Sequence, residues 1–103
     1  MRMLIEFKLP IEPFNTLIRN GTVGKMIQQV VADIGPEAVY FTERNGQRGG
    51  IMVVDVPEPS AVPRIAEPLF LAFEASVEFR VAMTPEDLAK AGLDELGKRY
   101  GRT

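Results

Sequence analysis

The chain has 103 residues, 46% apolar and 25% charged, with a formal net charge of -2, a balance that suits one globular domain and excludes disordered and fibrous classes. Its basic residues are scattered, so no stripe is available to neutralise a phosphate backbone, and nucleic acid is not an expected partner. It contains neither cysteine nor histidine, which excludes disulfides, thiolate nucleophiles, Cys- or His-ligated metals and serine–histidine catalysis.

No cofactor is expected, and acid–base chemistry would need a shifted carboxylate, lysine or tyrosine. The apolar runs at 51–54 and 70–73 are far shorter than the ~20 residues that span a bilayer. Glu6 interrupts any signal-like segment at the start, so a cytoplasmic protein without a membrane partner is the expectation.

Residues 3–9 alternate, with Met3, Ile5, Phe7 and Leu9 on one side and Leu4, Glu6 and Lys8 on the other, which predicts a half-buried strand. Pro10 and Pro13 end it, since neither has an N–H for a ladder. From Phe14 to Ile34 apolar residues recur at helical spacing with one break at Gly21-Thr22. Gly21 is expected to close a first helix and Thr22 to cap a second, which Gly35-Pro36 stops.

Strands at 38–44 and 47–56 follow, joined by Asn45-Gly46, the pair preferred in a two-residue type I′ hairpin turn. That turn sets Arg44 opposite Gln47, Glu43 opposite Arg48, Tyr40 opposite Ile51 and Val39 opposite Met52. Gly49-Gly50 is a candidate bulge that would move this register by one residue. Ser60 is expected to cap a helix carrying Val62, Ile65, Leu69 and Phe73, and Pro68 to kink or restart it.

A fourth alternating strand covers 77–83. Thr84-Pro-Glu-Asp87 then reads as a capped helix start, and Gly92 divides the tail into two short helices. Leu88, Leu93, Leu96 and Tyr100 are expected to pack on the body or on a partner subunit. Met3, Met26, Met52 and Met83 are expected as core filler.

Joined by right-handed crossovers, these elements give a ferredoxin-like α+β fold, βαββαβ, with a four-stranded antiparallel sheet in the order 4-1-3-2 and both main helices on one face. Residues 1–83 form its core and 84–103 a helical tail. The expected core is Met3, Ile5, Phe7, Val39, Phe41, Met52, Val54, Phe79 and Val81. The opposite face would carry Leu4, Tyr40, Ile51, Val53 and Ala82 as one apolar patch, with Glu6, Lys8, Thr42, Asp55, Glu78 and Arg80 around it. Such a patch marks an interface or a binding groove, and two sheets set face to face about a two-fold axis would bury it.

The layout resembles the dimeric α+β-barrel superfamily, which includes stress-responsive barrel proteins, antibiotic-biosynthesis-type monooxygenases and muconolactone-isomerase-like enzymes. The segments NGTVGKMIQ, PEAVYFTERNGQRGGIMVVDV, SAVPRIAEPLFL and MTPEDLAKAGL also resemble a set of uncharacterised bacterial proteins of similar length. The resemblance implies a homodimer or higher homo-oligomer and a cavity between facing sheets. This superfold hosts unrelated functions, so it supplies a fold more securely than an activity.

The segment Asn20–Met26 invites comparison with a phosphate-binding loop. Alignment on Gly24-Lys25 puts Arg19 where the first glycine belongs and Met26 where the magnesium-binding hydroxyl belongs, so a helix cap is the better reading. Glu6, Tyr40, Thr42 and Arg80 are the candidate ligand-binding residues, gathered on the open sheet face with Lys8 nearby. They read either as an ion pair lining a dimer interior around a small organic ligand, which can be anionic, or as a cofactor-independent isomerase, lyase or monooxygenase. In the enzyme, Glu6 would be a base, Arg80 an anion clamp and Tyr40 a donor to an oxygen. Arg80 beside Glu6 lowers the carboxylate pKa and opposes the second reading. Glu86, Asp87, Asp94 and Glu95 are more simply charges favoured at helix starts than cation ligands.

Overall fold

A computed structural model describes residues 1–101. Four strands form its sheet: β1 (Arg2–Leu9), β2 (Ala38–Arg44), β3 (Gln47–Asp55) and β4 (Ser76–Val81). Helices α1 (Ile11–Arg19) and α2 (Val23–Ile34) make the first crossover, α3 (Ala61–Phe73) the second, and α4 (Pro85–Lys90) and α5 (Leu93–Tyr100) the tail. The sheet is antiparallel in the order β2-β3-β1-β4, which is the expected ferredoxin-like topology read from the other edge.

Alternation along β1 sends Met3, Ile5, Phe7 and Leu9 into the core, where they meet Met52 and Val54 of β3 and Phe14, Val30, Ile65, Leu69 and Phe73 of the helices. The core is thinner at its edges than the alternation alone suggests. Phe41 and Val81 have the right parity yet are each 54% exposed, because they lie on the edge strands β2 and β4. Val39 and Phe79 are only partly buried against the same cluster, and Met83 is exposed.

The hairpin turn forms as its residues require, with Asn45 and Gly46 both at positive φ. No bulge follows it. The β2–β3 ladder runs unshifted from Arg44 opposite Gln47 to Ala38 opposite Val53. Gly49 and Gly50 serve another purpose: each leaves room for a crossing side chain, Arg44 over Gly49 and Phe7 over Gly50. Across Gly50, Phe7 meets Phe41 edge to face with ring centroids 6.0 Å apart.

Three local expectations are corrected. Thr22 does sit at the start of α2, but it accepts no cap bond. It donates its backbone N–H and its hydroxyl to Asn20 Oδ1, at 3.1 and 2.6 Å, because the amide oxygen two residues back is the nearer acceptor. Ser60 likewise accepts no cap bond and donates to Glu58 at 2.9 Å. Pro68 lies inside α3, which does not end and restart there; Arg64, whose carbonyl loses that N–H partner, is an exposed residue. The Asn20–Met26 segment joins two helices, not a strand to a helix, so the chain conformation of a phosphate-binding loop is not present.

The tail starts as expected. Thr84 accepts from the Asp87 N–H and donates its own N–H back to the Asp87 carboxylate, with Pro85 at the first helical position. Gly92, at positive φ, separates α4 from α5. Neither helix buries a residue, and Leu88, Leu93, Leu96 and Tyr100 are exposed, so packing of the tail on its own body is not observed. The molecule is 63 Å along its longest axis with a radius of gyration of 17.9 Å, against about 13 Å for a compact chain of this length.

Candidate functional site

The sheet face opposite the main helices is ordered by the ladder into rows. One row reads Tyr40, Ile51, Glu6, Glu78, and the next toward the hairpin turn reads Thr42, Gly49, Lys8, Ser76. On the other side come Ala38, Val53, Leu4 and Arg80. The four sequence-derived candidates therefore share a face, as alternation requires.

They are not one cluster. Glu6 and Arg80 are in direct contact, with Arg80 Nη1 2.6 Å from Glu6 Oε2. Tyr40 is separated from Glu6 by Ile51, a lateral distance of about 10 Å at ordinary strand spacing, and Thr42 stands one row further on. Among the described residues no hydrogen bond joins Tyr40 or Thr42 to Glu6.

The residue that completes the cluster is Arg44. It lies at the turn end of β2 with the same parity as Tyr40 and Thr42, and its side chain crosses Gly49 to donate to Glu6 Oε2. The legible signal was the combination of a long side chain and a glycine on the neighbouring strand. Glu6 is thereby held between two guanidiniums, with its side chain 12% exposed. Arg80 also pairs with Glu78 at 3.0 Å.

The hydrogen bond from Arg80, followed by the charge of Arg44, holds the Glu6 carboxyl below the ordinary carboxylate range, against the opposing effect of burial. The same contact raises Arg80. Such a carboxylate stays ionised and is a weak proton acceptor. Each guanidinium carries five N–H donors, so both retain donors beyond those used on Glu6. Two acids and two guanidiniums cancel in charge, and Lys8, two residues from Glu6 on the same face, tips the balance to positive.

Among the described residues no group of three or more acidic side chains is placed to hold a metal ion, and no helix is long and apolar enough to cross a membrane. No family model matches the chain, and no curated protein matches it.

Proposed function

We propose that the chain is a non-catalytic homodimeric module of the dimeric α+β-barrel kind, in which two copies turn their open sheet faces toward each other and hold a small organic anion between them. One observation carries this reading. The face away from the helices sets Leu4, Ile51, Val53 and the exposed ring of Tyr40 around the Arg44–Glu6–Arg80 cluster, so apolar surface and spare cationic donors occur together. Apolar area on a partner would remove that surface from water, and the donors would meet an anion.

The alternative, a cofactor-independent isomerase, lyase or monooxygenase using Glu6, Tyr40 and Arg80, is less well supported. A general base working near neutrality needs a raised carboxylate pKa, and that of Glu6 is lowered.

Calorimetric titration with succinate tests the proposal. Saturable heat with the wild type, lost in Arg80→Gln and in Ile51→Lys, is expected. No heat at all, or heat unchanged by both substitutions, would overturn it.

A further inference from the structure

A second site lies on the helix side of the sheet, at its turn end. Two adjoining hollows of about 510 and 370 Å³ share Leu9, Gly46, Gln47 and Arg48. The first is walled by Phe14 and Phe41, the second by Ile11 and Asn15.

Among the described residues Arg48 is the only cation in the lining of either hollow, and its neighbouring acids are engaged elsewhere. Glu43 stands directly opposite it in the ladder, yet the Glu43 carboxylate accepts the Gly46 N–H at 2.7 Å and so closes the turn. Glu12, which also feels the charge of Arg48, accepts both the N–H and the hydroxyl of Thr16, at 2.9 and 2.7 Å. Arg48 instead lies over the Phe14 ring, its guanidinium carbon 4.9 Å from the centroid. No carboxylate lies within 4.0 Å of it among the described residues.

A guanidinium over an aromatic ring, with no carboxylate partner of its own, has N–H donors left for planar, bidentate recognition of a carboxylate. Beside it the half-exposed Phe41 presents apolar surface, with the buried Leu9 and Phe14 also in the lining, the combination of few polar groups and apolar walls that small-molecule sites use. We propose that this cleft binds a small carboxylate with an aromatic or compact apolar body, the carboxylate on Arg48 and the body against Phe41. The site is separate from the Arg44–Glu6–Arg80 cluster, which occupies the other side of the sheet.

Benzoate and its neutral counterpart benzamide are suitable probes, followed through backbone amide shifts by NMR. Benzoate is expected to give saturable shifts at Thr42, Gly46, Gln47 and Gly49, with affinity at least about tenfold weaker for benzamide and for Arg48→Gln, as loss of a charge-assisted bond implies. Phe41→Ala, at a half-exposed position, keeps the charge and is expected to weaken benzoate by about fivefold or more through lost aromatic contact. Absence of shifts at tens of millimolar benzoate, equal affinity for benzamide, or unaltered affinity in both variants would overturn the proposal. Shifts confined to Tyr40, Ile51 and Arg80 would overturn it as well, while favouring the open-face site.

Discussion

Arg44 lies across Gly49, so closely that a Cβ on the glycine would stand 2.6 Å from Arg44 Cγ, and the same Cβ would run into the Phe7 carbonyl oxygen on the opposite neighbour strand. The Arg44–Glu6 contact thus depends on the missing side chain of a third strand residue. Gly49→Ala is predicted to destabilise the fold by about 1–3 kcal/mol, the usual range for overpacking, read as a lower urea midpoint. Removing Arg44 in the same chain should restore only part of the loss, because the Phe7 carbonyl remains in the way.

Acid should weaken the fold through a defined set of carboxylates. Glu6, Glu12 and Glu37 are all held below the ordinary value of 4.5, by hydrogen bonds from Arg80, Thr16 and Arg2 respectively. Their folded pKa values are depressed, so between those values and 4.5 the unfolded chain binds more protons than the folded one. Their contribution is therefore complete above the unfolded value and is lost as pH falls through the folded ones. The melting temperature should be level near neutrality and fall below about pH 4.5. In Glu6→Gln that acid decline should be shallower; an identical slope would show that the Glu6 pairings do not stabilise the chain.

Much of the architecture is written in local signals. Asn45-Gly46 has little alternative to a type I′ turn, and the turn fixes which residues of β2 and β3 share a face, whereas Glu6 and Arg80, on β1 and β4, are brought together by the strand order and side-chain alternation. The Thr84–Asp87 capping box is local for the same reason. What escaped was each choice between competing partners. Thr22 had Asn20 within reach, Ser60 had Glu58, and Glu43 had the Gly46 amide in place of Arg48. The exposure of Phe41 and Val81 depends on their places at the sheet edges, which side-chain alternation does not encode.

Glu74 ends α3 in the left-handed region at φ 53, with its N–H donated to the Phe70 carbonyl. A side chain is disfavoured there relative to glycine. Glu74→Gly should stabilise the fold by about 0.5–1 kcal/mol in chemical denaturation; a loss of stability would mean that the Glu74 side chain contributes more than its backbone costs.

Helices α4 and α5 contain no buried residue. A chain ending at Met83 should therefore have an unfolding free energy within about 0.5 kcal/mol of that of the full chain, as changes at exposed positions do. A larger drop would show that α4 and α5 pack onto the body in solution. The mass of the same shortened chain tests a role in assembly: an oligomer larger than a dimer that reverts to a dimer on truncation would assign the tail to that contact.

The pairing of two open sheet faces is the claim from which the functional reading follows, and sedimentation equilibrium tests it most directly. The wild type should sediment at twice the 11.4 kDa chain mass down to low micromolar concentration, and Ile51→Lys should sediment as a single chain while keeping its circular dichroism. A wild type that stays at the single-chain mass at every concentration, or an Ile51→Lys variant that still pairs, would contradict it.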